Sequence, residues 1–351
     1  RRVIRKGGGA LLSAGCIKGI LERSEQARVL VVGDLMLDRY VSGSVTRISP
    51  ESSVPVVQMD KEWVGVGGAA NVAANVVALG AECDLVGCVG SDDAGYELRE
   101  CLRGLGVGIA GLVEIGERPT TVKTRVLAGH QQVVRIDRED SDDVSTDTVR
   151  LLRKEIRRGL AACASVVLED YDKGVLVPEI IEGVLDGARG EGVPTIVDPK
   201  RRRFFGYGSA TVFKPNAKEL EDALGEPVLP GDADWMEEAR SRLDCDHLLL
   251  TLGRQGMVLC STGKGTTLFP ASDRAVFDVS GAGDTVTAVV SLALALGASM
   301  SEAAVMANHA AAVQVSKPGV ATVTRAELYE QAAGGVEDPG VAREVGGYGE
   351  S

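Results

Sequence analysis

The sequence predicts an α/β fold of three layers, in which helices cover a mostly parallel central sheet, together with a small antiparallel β lid. From residue 146 onwards, apolar segments of strand length alternate with helical segments, which is the pattern of βαβ units with right-handed crossovers. The nearly continuous apolar run at 28–33 is typical of a strand buried on both faces of a parallel sheet. Residues 39–64 and 117–138 instead alternate or contain prolines, which favours short exposed strands of a separate sheet.

The 351 residues therefore divide into one large domain and two terminal segments. Residues 1–26 are predicted to form an N-terminal appendage with one amphipathic helix at 11–25. Residues 27–330 form the α/β domain, with the lid built from about 39–64 and 117–138. Residues 331–351 are rich in glycine and charge, so a flexible C-terminal tail is expected there.

Composition excludes several classes of function. A formal net charge of −12 argues against nucleic acid or an anionic membrane as the main partner. The seven cysteines form no C-x-x-C pair and no zinc spacing, which indicates buried thiols in a reducing cytoplasm. No apolar run approaches the ~20 residues of a membrane span, and the basic start of the chain leads into no long apolar region. We therefore expect a cytoplasmic protein without a signal peptide.

In the first part of the chain, acidic residues follow the first strand and a glycine-rich turn precedes a helix. Asp34 and Asp38 come after that strand, at the edge where parallel sheets bind ligands, although Asp34 could equally form a turn. The next helix consists of small residues and carries Asn71 and Asn75 on one face. Asparagine is a poor helix former, so this pair either contacts a ligand or bonds to neighbouring loops.

Residues 83–115 are predicted to form a strand, a helix and a strand, and a hairpin follows at 119–138. The hairpin strands bear Lys123, Arg125 and Arg135 among alternating polar positions. These cations could present positive charge to an anionic substrate, or they could form an ordinary solvated face.

The second half of the chain alternates regularly between helices and strands. The predicted helices cover 146–160, 177–190, 216–224, 234–243, 282–297 and 301–316, and the predicted strands cover 164–169, 194–198, 210–213, 247–252, 257–260 and 265–269. Several strands end in polar groups, which places polar side chains along one edge of the sheet. These polar ends lie at 169–174, 198–200, 214–219 and 251–253.

The turn at 276–285 is the part around which the rest of the chain is organised. Gly281 and Gly283 allow a sharp backbone turn before a helix of small apolar residues. The N–H groups and the dipole at a helix N-terminus favour an anion in such a turn. Asp284 lies in the first helical turn, where a carboxylate could take a proton from a hydroxyl that attacks a phosphoryl group. The alternative is a glycine-rich N-cap in which Asp284 only favours the dipole.

Other catalytic patterns are missing from the sequence. There is no G-x-x-x-x-G-K-[ST] loop, no histidine with a partner at metal-ligand spacing, and no recognisable Ser-His-Asp or Cys-His pattern. Gly33-Asp34-Leu35-Met36 follows the first strand in place of the G-x-G-x-x-G turn of dinucleotide-binding proteins. Phosphate binding must therefore depend on a different anion-binding turn.

Two glycine-rich stretches, in this order, resemble the signatures of the ribokinase-like (phosphofructokinase-B) sugar kinase family. Residues 67–73 are similar to the N-terminal signature and residues 278–284 to the C-terminal one, with Ser280 where the family usually has threonine. Residues 216–219 resemble the N-x-x-E element of the family. The resemblance implies a ribokinase-like α/β kinase domain that uses ATP and Mg²⁺ to phosphorylate a sugar hydroxyl.

The resemblance also implies a role for each site residue. The catalytic residues would be Asp284, which acts as the base, and Gly281, Ala282 and Gly283, whose N–H groups stabilise the transferred group. The substrate-binding residues would be Asp38, Gly68, Asn71, Lys123, Arg125, Arg135, Asp170 and Lys173. The nucleotide-binding residues would be Lys200, Asn216, Glu219, Thr251, Gly253, Gly256 and Asn308, of which Glu219 and Asn216 steer Mg²⁺ through water.

Further segments are similar to the kinases of bacterial ADP-heptose synthesis. These segments lie at 33–40, 47–51, 54–57, 123–127, 131–132, 170–174 and 198–200. Such kinases phosphorylate D-glycero-β-D-manno-heptose 7-phosphate at the anomeric O1, giving the 1,7-bisphosphate, a precursor of lipopolysaccharide core or surface glycan. Relatives often carry a nucleotidyltransferase domain with an H-x-G-H motif, and this chain resembles the stand-alone kinase form.

The implied partners are a phosphorylated sugar and ATP, with a homodimer formed through the lid. Two alternatives remain open at this point. The first is another kinase of the same fold, acting on a ketose phosphate or on ribose. The second is a sugar- or nucleotide-binding regulator without catalytic activity, which an intact Asp284 argues against.

Overall fold

The computed structural model describes residues 14–129, 131–272, 276–334 and 343–345. In these ranges the helices are α1 (Ala14–Leu21), α2 (Ala69–Ala78), α3 (Asp93–Gly104), α4 (Thr146–Leu160), α5 (Pro178–Glu191), α6 (Ala217–Leu224), α7 (Ala233–Arg242), α8 (Ala282–Ala295), α9 (Met300–Gln314) and α10 (Arg325–Gly334). The strands are β1 (Arg28–Gly33), β2 (Leu35–Ile48), β3 (Pro55–Gly68), β4 (Glu82–Gly90), β5 (Gly108–Ile115), β6 (Thr121–Ala128), β7 (Gln131–Arg138), β8 (Ser165–Glu169), β9 (Thr195–Asp198), β10 (Val212–Phe213), β11 (His247–Thr251), β12 (Met257–Ser261), β13 (Gly265–Phe269) and β14 (Arg343–Glu344).

A large sheet forms the middle of the domain, with the strand order β14-β13-β12-β11-β10-β9-β8-β1-β4-β5. The strands from β11 to β5 are parallel, and β12, β13 and β14 add to the other edge in antiparallel pairings. In β1, Val29 and Val31 face one apolar cluster, whereas Leu30 and Val32 face the other. Because both faces of the sheet are covered by helices, the three-layer α/β fold predicted from the apolar strand patterns is confirmed.

A second sheet has the strand order β3-β2-β6-β7 and forms the predicted lid. The pairs β2–β3 and β6–β7 are antiparallel, but β2 and β6 pair in parallel over eight residues. The predicted lid is therefore rich in antiparallel pairings, and it contains one parallel pairing that the sequence did not indicate. The cause lies in the large sheet, where β1 and β5 are parallel. Because β2 follows β1 and β6 follows β5, both lid strands leave the same edge of that sheet in the same direction.

The described parts of the two terminal segments pack onto the domain. In α1, Ile17, Ile20 and Leu21 are buried in the apolar cluster that contains α2, α8 and α9. At the other end, α10 continues to Gly334, and β14 pairs with β13 at the edge of the large sheet. The rest of the segments predicted as appendage and tail lies outside the described residues. No helix in the described ranges is long and apolar enough to cross a membrane.

Candidate active site

The N-terminus of α8 forms the turn that the glycines predict. Gly281 has φ of 77°, and a Cβ there would lie 2.9 Å from Asn71 Nδ2, so a side chain is excluded both by the backbone conformation and by space. The Thr285 N–H makes the first helical hydrogen bond, to Gly281 O at 3.0 Å. The N–H groups of Gly283 and Asp284 come before this first hydrogen bond of the helix, in the turn where an anion is predicted to bind. That of Ala282, in contrast, already donates to Val279 O at 3.3 Å.

Asp284 is buried in the first turn of α8 and is held by two neutral donors. Asn71 Nδ2 donates to Asp284 Oδ2 at 2.6 Å, and the Tyr171 hydroxyl donates to Asp284 Oδ1 at 2.9 Å. Burial raises the pKa of Asp284 to about 6, although the hydrogen bond from Asn71 works in the opposite direction. A carboxylate with this pKa, held in one orientation, is suited to accept a proton near neutral pH.

The two asparagines of α2 have different roles. Asn71 faces Asp284, as described above, whereas Asn75 Oδ1 accepts from the Val323 N–H at 3.1 Å and from the Thr285 hydroxyl at 3.4 Å. Asn75 Nδ2 also donates to Asn71 Oδ1 at 3.2 Å. Asn75 thus bonds to neighbouring segments, whereas Asn71 contacts Asp284, and a contact between Asn71 and a ligand stays a prediction.

Three buried carboxylates meet at the carboxyl ends of adjacent strands. Glu169 ends β8, Asp198 ends β9, and one oxygen of each lies within 4.8 Å of the others and of an oxygen of Asp284. Neither oxygen of Glu169 has a hydrogen-bond partner among the described residues. Burial, together with the charges of Asp198 and Asp284, raises the pKa of Glu169 well above its ordinary value. This group therefore has ligand oxygens that the protein itself does not satisfy.

Lys214, directly after β10, provides the buried positive charge beside these carboxylates. Its Nζ lies 2.8 Å from Asp198 Oδ2, and its side chain is only 3% exposed. Burial alone would lower the pKa of Lys214, but Asp198 and Glu169 raise it above its ordinary value, so the ammonium group stays charged. Polar groups at these strand ends were predicted from the sequence, but no role was predicted for Glu169, Asp198, Lys214 or Tyr171.

The expected magnesium contacts at Asn216 and Glu219 form a helix cap. Asn216 Oδ1 accepts from the Glu219 N–H and Glu219 Oε2 accepts from the Asn216 N–H, both at 2.9 Å, which closes a capping box at α6. The other oxygen of Glu219 is paired with Lys200 Nζ. Because both oxygens of Glu219 are engaged, a contact with Mg²⁺ through water fits this side chain, whereas Glu169 offers the free oxygen ligands that a hard cation prefers.

The other residues expected at the nucleotide lie at the end of β11, in the turn that follows it and on α9. Thr251 forms an isolated parallel bridge with Asn216, which brings these two positions together. Gly253 and Gly256 flank a short turn, and a Cβ on Gly256 would lie 2.0 Å from Phe269 O. Asn308 Nδ2 donates to Pro270 O at 2.7 Å, so it holds the backbone of the loop after β13.

The lid brings its expected substrate residues to one face. Asp38, Lys123 and Asp137 are register partners across β2, β6 and β7, and Arg125 lies opposite Arg135 two residues along. Each cation is paired with a carboxylate. These pairs are Arg125 with Asp38, Lys123 with Asp137 and Glu139, Arg135 with Asp137, and, from the loop after β8, Lys173 with Glu139.

Glycines at the end of β3 bring the lid close to the catalytic residues. A Cβ on Gly67 would lie 2.7 Å from Asp38 Oδ2, and Gly68 has φ of 59°. A Cβ on Gly68 would lie 2.5 Å from Asp34 O and 3.4 Å from the Tyr171 ring. Only glycine fits this approach, which brings Asp38 and the Tyr171 ring close to two successive residues of the same backbone segment.

Two other aspartates shape the loop that carries Tyr171 and Lys173. Asp34 accepts hydrogen bonds from the N–H groups of Tyr171, Lys173 and Val175, so the turn-forming alternative describes it better than a direct ligand role. Asp170, which was expected to bind substrate, accepts from the Tyr207 hydroxyl at 2.6 Å and from the Asp172 N–H at 2.8 Å. Both of its oxygens are therefore engaged within the protein.

The match to a family of kinases shows that this fold and site belong to a phosphotransferase whose acceptor is an alcohol group of a sugar. Residues 26–326 match the model of the pfkB family carbohydrate kinases, and the chain belongs to this family. The chain is 43% identical over 332 residues to the bifunctional protein HldE of Azorhizobium caulinodans, covering 93% of this chain and 69% of that protein. It is 45% identical over 316 residues to the bifunctional protein HldE of Caulobacter vibrioides, covering 89% of this chain and 65% of that protein. The chain thus spans about two thirds of the length of these curated relatives.

Solved structures show the same fold at lower identity. Phosphofructokinase-2 from Escherichia coli, in complex with potassium, superposes with a TM-score of 0.73 at 20% identity and covers 88% of this chain and 98% of its own. The Arabidopsis thaliana ribokinase complexed with ribose and ATP superposes with a TM-score of 0.69 at 22% identity, covering 87% and 98%. These similarities establish the ribokinase-like fold.

Proposed function

We propose that this chain is an ATP-dependent kinase that phosphorylates the anomeric O1 of D-glycero-β-D-manno-heptose 7-phosphate, giving the 1,7-bisphosphate. The observation that carries phosphotransfer is the buried Asp284 at the anion-binding N-terminus of α8. The heptose assignment is supported by the segments similar to heptose 7-phosphate kinases, which include the DYDKG run at 170–174. The assignment is also supported by the 40–45% identity to proteins named HldE over 89–93% of this chain.

In the proposed reaction, Asp284 accepts the proton of the anomeric hydroxyl as its oxygen attacks the γ-phosphoryl group of ATP. Asn71 and Tyr171 fix the orientation of the carboxylate. The N–H groups and dipole at the start of α8 stabilise the negative charge of the transferred group. Mg²⁺, when bound, neutralises charge on the nucleotide phosphates; Glu169 and Asp198 would hold it, and Glu219 would reach it through water.

The substrate would lie between the lid and the Asp284 side chain. Asp38, Gly68 and Asn71 would contact sugar hydroxyls, while Lys123 and Lys173 would approach the distal phosphate. Arg125 is already paired with the buried Asp38, so its proposed role is to orient that carboxylate as well as to add positive charge. Arg135 is half exposed and adds a weaker, screened charge.

The proposal is tested by ATP consumption with Mg²⁺ and four sugars offered side by side: heptose 7-phosphate, fructose 6-phosphate, fructose 1-phosphate and ribose. A clear preference for the heptose, with a product that is labile at the anomeric phosphate, would support the assignment. Preference for another sugar would contradict the heptose as the substrate but would still support kinase activity. Absence of turnover with all four would favour a binding protein without catalytic activity.

Lys123→Ala is expected to raise the KM for the phosphorylated sugar about 10- to 100-fold, because one charge-assisted hydrogen bond to phosphate is lost. The KM for a neutral sugar should change little, and steady-state kinetics with both sugars measures the difference. Lys61→Ala is the matched control, since Lys61 also lies on a lid strand but contacts the Trp63 ring. An equal effect on both sugars would contradict a phosphate contact at Lys123.

We also propose that two copies associate through their lids. The proposal is supported by the large apolar side chains that the lid strands and the loop joining β2 to β3 expose, at Ile48, Val54, Met59, Val134 and Ile136, since association would remove apolar surface from water. Ile136→Glu is expected to shift the protein from dimer to monomer in light scattering at micromolar concentration. Leu229→Glu, which alters an exposed leucine outside the lid, should leave the dimer intact. A monomeric wild-type protein would rule this interface out.

A further inference from the structure

Glu139, just after β7, connects the lid to the main domain. Its Oε2 lies 3.1 Å from Nζ of Lys123 on the lid strand β6. Its Oε1 lies 2.9 Å from Nζ of Lys173 in the loop after β8. Both lysine side chains are largely buried, so these contacts are shielded from bulk water more than surface ion pairs are. One carboxylate thus holds two ammonium groups, one from the lid and one from a loop of the main domain.

This arrangement conflicts with a simple phosphate contact. Lys123 is also 3.3 Å from Asp137, so the two lysines already face two carboxylates. Hydrogen bonds from Lys173 and Lys123 keep the pKa of Glu139 below its ordinary value in spite of its partial burial, so Glu139 is ionised at neutral pH. A phosphate dianion added beside an ionised Glu139 would meet like charge at close range, which is unfavourable. Either these lysines do not bind phosphate, or Glu139 leaves when phosphate arrives.

Two features favour the departure of Glu139. Its two oxygens bridge two ammonium groups, which is an arrangement that two oxygens of a phosphate can reproduce with more charge. The side chain is also partly exposed and comes directly after the last lid strand, so it has a path to water when it leaves the two lysines. Asp38 differs on this point: it is buried at the base of the lid, and its pairing with Arg125 has no such path to solvent.

We propose that Glu139 is an internal occupant of the distal-phosphate subsite and that the phosphate of the sugar substrate displaces it from Lys123 and Lys173. The inference rests on the proposed function, because it takes a phosphorylated sugar as the substrate. It makes Glu139 a residue that determines specificity. A sugar without a distal phosphate cannot replace the two ion pairs. The lysines then stay bound to Glu139 and contribute nothing to the binding of that sugar.

The test is Glu139→Gln, which keeps the shape of the side chain and removes its charge. Its KM for the phosphorylated sugar is expected to fall about tenfold, because the substrate no longer competes with an ion pair to each lysine. The KM for ATP and for a neutral sugar should not change. The matched control is Glu62→Gln, which removes a lid carboxylate paired with Arg39 and away from both lysines. A KM for the phosphorylated sugar that stays the same or rises would show that Glu139 is a fixed bridge and would overturn the inference.

A second measurement does not depend on turnover. Titration calorimetry with inorganic phosphate should show about tenfold tighter binding to Glu139→Gln than to the wild-type protein. The gain should vanish in the double variant Glu139→Gln with Lys123→Ala, and a gain that persists there would place the effect elsewhere and overturn the inference. If the wild-type protein turns over no phosphorylated sugar, the proposed function fails, while tighter phosphate binding by Glu139→Gln would still support the subsite. If heptose 7-phosphate is turned over but Glu139→Gln shows neither gain, the inference alone fails.

Discussion

Asp284→Asn is expected to lower kcat by at least about 10²–10⁴, because the amide cannot accept the proton of the attacking hydroxyl. Its KM for both substrates should change much less, since the amide keeps the size of the side chain and can still bond to Tyr171. In the wild-type enzyme, kcat/KM should fall as the pH drops below about 6, where Asp284 takes up a proton. Near-normal turnover of the variant would rule out Asp284 as the base.

The same substitution is expected to stabilise the protein. Burial raises the pKa of Asp284 in the folded state above the ordinary value of an aspartate, so the folded state binds this proton more tightly than the unfolded chain does. The contribution of this proton to the free energy of unfolding is present at pH values below the pKa that Asp284 has in the unfolded chain. It is lost as the pH rises through about 6, the pKa in the folded state. A neutral amide avoids that loss, and we expect a gain of about 1–3 kcal/mol in the free energy of unfolding at pH 8 and a smaller gain at pH 5.

Urea unfolding at the two pH values measures this gain. Asp186→Asn is a suitable control, because Asp186 is an exposed residue of α5 whose pairing with Arg189 is a surface contact. The control should change the free energy of unfolding by less than about 0.5 kcal/mol at both pH values. A loss of stability in Asp284→Asn at pH 8 would mean that the hydrogen bonds from Asn71 and Tyr171 outweigh the cost of the buried charge.

Lys214→Met is expected to have the largest effect on stability, a loss of about 3–5 kcal/mol in the free energy of unfolding at pH 8. The substitution removes the buried ammonium group at 2.8 Å from Asp198 and leaves three buried carboxylates without it. At lower pH Glu169 and Asp284 can take up protons, and the pKa values of both rise further without the charge of Lys214, which lowers them in the wild-type protein. Stability is therefore retained at low pH and lost as the pH rises, so the deficit at pH 5 should be smaller.

Lys218→Met provides the control for this prediction. Lys218 lies on α6, is mostly exposed, and pairs with Asp222 four residues along the same helix. Such surface pairs contribute about 0.3–0.5 kcal/mol. Equal losses in the two variants, or a deficit in Lys214→Met that does not depend on pH, would show that Lys214 does not neutralise the buried carboxylates.

Local patterns in the sequence were sufficient for most of the fold. The helix predicted at 146–160 is α4 (Thr146–Leu160), and the apolar run at 28–33 is β1 (Arg28–Gly33). These features depend on residues a few positions apart, whose periodicity and caps are visible in one stretch of chain. The turn before Asp284 was predicted for the same reason, since glycine at the N-terminus of a helix has local consequences.

The partners of the site residues depend instead on which elements meet in three dimensions. Asn71 and Asp284 are separated by 213 positions, and their hydrogen bond exists because α2 and α8 pack on the same face of the sheet. Glu169, Asp198 and Lys214 converge because β8, β9 and β10 are neighbours in the sheet order. The sequence could show that each of these strands ends in polar groups, but not that one lysine and two carboxylates would share a buried space.

By itself, then, the sequence determined the three-layer α/β fold, the position of the lid strands and the glycine-rich turn that leads into Asp284, because each of these depends on local periodicity or on glycine. The tertiary structure alone decided the parallel pairing of β2 with β6, the buried charge group around Lys214, and the bridge from Glu139 to Lys123 and Lys173. The physical reason is that charge pairing and strand pairing act across space. Their partners are chosen by the packing of distant segments, which no local pattern records.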